Sequence, residues 1–96
     1  MAVLVIGEMQ GGDVTRDQRI MQELGLHSAP ALGAIARFAG PSDKDYRVIT
    51  VWESEEAFQT FRRERLNPTL ERLGMPAVNP EVFQLDDYRI APQATR

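Results

Sequence analysis

The chain has no cysteine and a single histidine, His27. The first absence removes disulfides, thiolate metal sites and a cysteine nucleophile. One histidine leaves no ligand set for a zinc-type centre, and the carboxylates are scattered without the spacing of a calcium loop, so no metal is expected. Basic charge is scarce too: 11 Lys+Arg against 14 Asp+Glu give a net charge of −3, which argues against a nucleic-acid partner. Arg62, Arg63 and Arg65 do cluster, but Glu55, Glu56 and Glu64 dilute them, and the segment reads as a solvated helix face. Long hydrophobic runs are missing. The N-terminal MAVLVIGEM is short, charge arrives at Glu8 and no basic leader precedes it, so neither a signal peptide nor a membrane span is predicted. The expected location is the cytoplasm. There is no glycine-rich phosphate loop, nucleophile elbow, internal repeat or low-complexity segment.

What is present suits a soluble globular chain: 96 residues, 43% apolar and 26% charged, enough for one modest core. One domain over residues 1–90 is expected, followed by the polar tail APQATR at 91–96. Ala2 to Met9 is a nearly continuous apolar, β-branched run, the pattern of a strand covered on both faces. Gly11 and Gly12 end it. A helix is predicted from Thr15, with Gln18 in capping-box spacing, a stripe of Ile20, Met21 and Leu24, and a stop at Gly25. After a loop holding His27 and Pro30, Ala31 to Ala39 reads as a second strand. GPSDKD is a turn-rich connection to a third strand, Tyr46 to Glu53, and these two strands form a hairpin.

Ser54 caps the next helix, with Glu55 and Glu56 where the helix dipole favours negative charge. Ala57, Phe58, Phe61, Leu66, Leu70 and Leu73 form its buried stripe. Pro68 interrupts it, Asn67 recaps a short final piece, and Gly74 ends it. A last strand covers Glu81 to Tyr88. The order βαββαβ predicts a ferredoxin-like α+β domain with a four-stranded antiparallel sheet.

Two helices on one side leave the other face of such a sheet bare. The first strand is apolar on both sides, and the third carries Tyr46, Val48, Thr50 and Trp52 on one face with Ile49 and Val51 on the other. A soluble protein rarely exposes so much apolar surface, and a twofold homodimer through facing sheets is the expected cover. The order of elements and the segment VITVWESEEAFQTFRRERLNPTLERLG resemble the dimeric α+β barrel superfamily, in particular antibiotic-biosynthesis-monooxygenase-like (ABM-type) domains, over essentially the whole chain. The strand–Trp-Glu-Ser–helix seam carries most of the resemblance. It implies a menu of cofactor-free monooxygenases, haem-degrading enzymes, isomerases, cyclases and stress-responsive proteins. The haem-degrading option requires, in that family, a ligating histidine on the second helix, and Ser54 to Leu73 contains none. No cofactor is expected.

Strand parity then proposes a site. Arg37 opposite Arg47 would set like charges together; a shift by one puts Arg37 opposite Val48, and Gly33 opposite Trp52 with room for the indole. One face carries Ile35, Arg37, Tyr46, Val48, Thr50 and Trp52, the other Leu32, Ala34, Ala36, Ile49 and Val51. The first set is placed inside the barrel with Leu4, Ile6, Glu8, Gln84 and Tyr88, and Val3, Val5, Gly7, Phe83 and Leu85 under the helices. Apolar walls with a few polar groups make a small-molecule pocket. Arg37 and Trp52 are candidate catalytic donors toward an enolate or phenolate. Glu8 and His27 are candidate proton carriers. Ile6, Ile35, Tyr46, Val48, Thr50, Gln84 and Tyr88 are candidate ligand contacts. Each has a structural alternative: Trp52 as a buried anchor, Glu8 with Arg37 as an ion pair, the tyrosines as rim residues, His27 as a loop residue. The expected function is small-molecule binding in a homodimer, as a cofactor-independent monooxygenase-type enzyme on an aromatic or polyketide-like substrate. An isomerase or cyclase in the same cavity and a non-catalytic ligand-binding dimer are the alternatives.

Overall fold

In the computed structural model, which describes residues 1–26 and 29–91, the run VLVIGEM forms β1 (Val3–Met9) inside a four-stranded antiparallel sheet. Its two apolar sides suit a central position. β3 (Asp45–Trp52) pairs with one edge of it and β4 (Glu81–Gln84) with the other, while β2 (Ala34–Ser42) flanks β3. The order β2-β3-β1-β4, with helices after β1 and β3, is the predicted ferredoxin-like α+β arrangement. Among the described residues, no helix is long and apolar enough to cross a membrane.

Local chemistry sets the helix ends. α1 (Val14–Leu24) begins just before the predicted Thr15, because Asp13 is the cap: its carboxylate accepts from the Arg16 N–H at 2.8 Å. Gly25 ends it at φ 69°, with the Leu26 N–H reaching back to the Met21 carbonyl at 3.4 Å. α2 (Glu55–Phe61) is capped as predicted by Ser54, whose Oγ accepts from Ala57 at 3.0 Å. The expected break at Pro68 does not occur. Arg62–Leu66 form a π turn closed by the Asn67 N–H on the Arg62 carbonyl, and α3 (Asn67–Arg72) follows at once. Asn67 keeps helical angles of −59° and −46°, so it is not a recapping residue. In an α-helix the Pro68 ring would strike the carbonyl four residues earlier; the wider turn gives it room.

β2 starts at Ala34 rather than Ala31, since Gly33 takes φ 85° and turns the chain. It runs on to Ser42, and Asp43 and Lys44 form a two-residue turn into β3. Pro41 fits there because β2 is an edge strand. The short turn fixes the register: Ser42 faces Asp45, Arg37 faces Thr50 and, beyond a bulge at Ile35, Ala34 faces Trp52. The expected pairs of Arg37 with Val48 and Gly33 with Trp52 do not form. β4 is shorter than predicted, although the Leu85 N–H still donates to Ala2 at 2.9 Å.

Between sheet and helices lie two packed clusters. Val3, Val5, Trp52 and Phe58 form one, Ile20, Leu24 and Leu70 the other, and Phe61 packs against both.

Candidate functional site

Strand pairing decides which side chains share a face. Val3 stands opposite Trp52, Val5 opposite Thr50, Gly7 opposite Val48 and Met9 opposite Tyr46. Val3 and Val5 are buried against Phe58, so Trp52, Thr50, Val48 and Tyr46 lie on the helix side. Arg37 joins them as the partner of Thr50, and Gln84 as the partner of Val3. Leu4, Ile6 and Glu8 share the open face with Val51, Ile49, Arg47 and Phe83. Only β1 keeps its expected sides; β3 and β4 are reversed. β3 is apolar on both faces, so alternation cannot tell one side from the other. The deciding contact is tertiary: the chain turns from Trp52 directly into α2, which folds back over the indole.

Trp52 is 3% exposed. Its ring lies 5.6 Å from Phe58 and 5.1 Å from Phe61, and its Nε1–H donates to Thr50 Oγ1 at 2.8 Å. Beside Thr50, the Arg37 guanidinium donates to the carboxylate of Asp17, which α1 carries onto the sheet and which is 5% exposed. Sequence reasoning missed Asp17 as a partner. The signal was its spacing, for Asp17, Ile20 and Leu24 are the buried positions of α1. Tyr46 is buried rather than at a rim. Ile35 sits in the bulge, and Tyr88 is exposed beyond β4. His27 lies outside the described residues.

Ile6 and Glu8 are thus separated from the Trp52 group by the thickness of the sheet. Glu8 accepts hydrogen bonds from Arg47 Nε and, at 3.0 Å, from Ser42 Oγ. The Arg47 bond is the main cause that holds its carboxyl below the ordinary range; desolvation opposes it, and Ser42 and Lys44 reinforce it. The sign follows. A carboxylate with a depressed folded pKa stabilises the fold above its unfolded pKa, and that contribution fades as the pH falls through the folded value. The urea midpoint of the wild type is therefore expected to exceed that of Glu8→Gln at neutral pH, with the gap closing below about pH 4.3. A gap that is constant with pH would remove Glu8 from the acid response.

A cleft of about 420 Å³ opens between α2 and the segment before β2. Pro30, Ala31 and Leu32 form one wall; Glu53, Ser54, Glu56, Ala57, Thr60, Phe61, Glu64 and Arg65 form the other. Ala31, Ala57 and Phe61 also pack on the Trp52 cluster, so the cleft stands directly over the aromatic core. Gly33 permits the close approach of the walls, as a Cβ there would come within 2.7 Å of the Ala57 Cβ. Arg65 closes one end: its Nη2 donates to the carbonyls of Leu24 at 2.7 Å and Ala29 at 3.3 Å, and its guanidinium lies 5.7 Å from the Phe61 centroid. Arg62 donates to the Val78 carbonyl at 2.9 Å. Two members of the arginine cluster are thus clamps on backbone carbonyls, where a solvated face was expected. The cleft residues were not expected as a site, because residues three and four apart on α2 read equally well as a wet helix surface. Among the described residues, no group of three or more His, Asp or Glu side chains could hold a metal ion.

Fold and geometry together define a ferredoxin-like α+β protein with an aromatic-floored cleft. No protein-family model and no curated protein sequence matches the chain. Solved structures do. One is SnoaB, a cofactor-independent oxygenase from Streptomyces nogalater, with TM-score 0.60 and 15% identity over 91% of this chain and 94% of SnoaB. A second, provisionally named an antibiotic biosynthesis monooxygenase, comes from Chloroflexus aurantiacus J-10-fl, with TM-score 0.60 and 14% identity over 95% and 100% of the two chains. A third is the heme-degrader MhuD of Mycobacterium tuberculosis, solved with two hemes in its active site, with TM-score 0.54 and 17% identity over 93% and 99%. The chain has the fold of the antibiotic-biosynthesis-monooxygenase-like α+β proteins.

Proposed function

We propose that this chain is a small-molecule-binding homodimer that takes a flat aromatic or polyketide-like ligand into the cleft beside Trp52, as a cofactor-independent monooxygenase-type enzyme. The cleft carries the reading: about 420 Å³, floored by Phe61, with Trp52 5.1 Å behind that ring. The shared fold with SnoaB, a cofactor-independent oxygenase, supports the chemistry. Such a reaction needs an electron-rich ring held away from water, and donors at the oxygen where negative charge develops. Thr60 lines the cleft, where its hydroxyl can donate to that oxygen. Trp52 backs the wall, and Arg37 holds α1 in place through Asp17. Proton transfer by Glu8, as an isomerase or cyclase would use it, fits less well, because Glu8 is engaged by Arg47 and Ser42 on the other face of the sheet.

The test is oxygen uptake with a panel of dihydroxynaphthalenes and anthrones, with no metal or flavin added. Uptake that disappears in Phe61→Ala supports the enzyme. Binding without uptake leaves a ligand-binding dimer. Neither response removes the reading.

The dimer rests on the open face, where the half-buried Leu4, Ile6 and Ile49 lie between Phe38, 56% exposed, and Phe83, 44% exposed. Apolar surface of this kind calls for a cover, and a second copy supplies a self-complementary one. Replacing both Phe38 and Phe83 with Asp buries two charges per protomer in the interface, which is expected to weaken the dimer by about a hundredfold or more. Native mass spectrometry would show monomer for the variant and dimer for the wild type. A monomeric wild type would overturn the dimer.

A further inference from the structure

We infer that Leu32 is the specificity-determining residue of the cleft: its side chain closes over the apolar end of a planar ligand seated against the Phe61 wall. This deepens the proposed function and rests on the cleft being the binding site. Leu32 is 92% exposed and belongs to neither packed cluster of the core. A lone exposed leucine needs no explanation by itself. What sets this one apart is the backbone that carries it.

The Ala34 N–H donates to the Ala31 carbonyl at 3.2 Å and Gly33 takes φ 85°, so Ala31 to Ala34 make a turn with the pattern of type II. Leu32 holds its second position, where proline is favoured and a leucine contributes nothing to the turn. The turn is fixed from several sides. Ala31 packs on the Trp52 cluster, the Gly33 carbonyl accepts from the Glu53 N–H at 2.9 Å, and a Cβ on Gly33 would come within 3.1 Å of Glu53 Cγ. Upstream, Arg65 holds the Ala29 carbonyl at 3.3 Å, and the Ala29 N–H donates to the Gly25 carbonyl at 2.9 Å. The backbone is thus set against α2, while the side chain at its tip stands on the cleft wall that faces Ala57, Thr60 and Phe61. A residue that serves neither its own turn nor the core marks a position kept for function.

A ring lying on Phe61 takes water off Leu32, so this apolar area adds to binding and not to folding. With one side of the leucine covered, the contribution is about tenfold in affinity, less than complete burial would give. A polar substituent at that end would lose water against the side chains of Pro30, Ala31 and Leu32, which offer it no hydrogen bond. Leu32 therefore favours a bare ring edge there.

The experiment titrates the protein by calorimetry under nitrogen with 2-naphthol and with 2,6-dihydroxynaphthalene, which carries a hydroxyl at each end. Wild type is expected to prefer 2-naphthol. Leu32→Ser should bind 2-naphthol about tenfold more weakly, narrow the preference and leave the urea midpoint unchanged, and Leu32→Met should restore both affinity and preference. Thr60→Phe fills the cleft and is expected to abolish binding of both while the circular dichroism spectrum is retained. The role of Leu32 is overturned if Leu32→Ser binds 2-naphthol like wild type, weakens both ligands equally or lowers the urea midpoint, or if Leu32→Met restores nothing. The cleft reading survives each of those results as long as Thr60→Phe abolishes binding. If wild type binds neither ligand, or Thr60→Phe binds unchanged, the cleft reading itself falls and takes the role of Leu32 with it.

Discussion

Trp52→Ala is expected to destabilise the protein by about 3–5 kcal/mol, the range for truncating a fully buried aromatic side chain. Three observations set the scale. The indole is 3% exposed, it contacts Phe58 and Phe61 at 5.6 and 5.1 Å, and it shares a core cluster with Val3 and Val5. Loss of the ring therefore opens a void where α2 meets the middle of the sheet. A domain of this size is typically stable by about 5–15 kcal/mol, so the variant would sit near the edge of folding. Urea unfolding followed by circular dichroism is the measurement, because the substitution removes the only tryptophan. Thr50→Val separates hydrogen bonding from packing: it keeps the indole and the shape of its neighbour and removes only the acceptor of the Trp52 Nε1–H, with an expected cost of about 1–2 kcal/mol. A loss below about 1 kcal/mol in Trp52→Ala would mean that the void collapses and that the seam depends on something else.

The same contacts show what the sequence could and could not convey. Element order was legible because each boundary carries its own chemistry: Gly25 closes a helix and Ser54 opens one. The importance of the Trp52 seam was legible too, since one large aromatic leads into a helix with two phenylalanines on its stripe. The side of the sheet on which Trp52 lies was not. Both faces of β3 are apolar, and only its register against β1, Val3 to Trp52, settles the matter. Asp17 was hidden for a different reason. A carboxylate in an apolar helical stripe makes sense only once Arg37 arrives from a strand 20 residues later. The cleft was hidden most deeply, as it depends on Gly33 letting a loop approach Ala57 across the fold. The π turn is intermediate. Pro68 announced an interruption, and the helix met it by widening.

Asp17→Ala is the second large effect, expected to cost about 2–3 kcal/mol. Breaking a buried ion pair by deleting one partner costs about 3–5 kcal/mol when the remaining charge has no access to water. The Arg37 side chain is 30% exposed and can still reach solvent, which lowers the expectation. Arg37→Met strands the other partner, a carboxylate in a residue only 5% exposed, and should cost at least as much. That differs from the view of Arg37 as a ligand contact, under which its removal would act mainly on affinity. The double variant Asp17→Leu, Arg37→Met replaces the pair with apolar groups of similar reach and leaves no charge unpaired. It should recover most of either single loss. Summed single effects would then exceed the double by about 3 kcal/mol or more, a coupling that residues in direct contact can show and distant ones cannot. Single losses that add to within about 0.5 kcal/mol would instead mean that each residue acts alone. In that case Arg37 would be free to turn toward a ligand, and its catalytic reading would regain its strength.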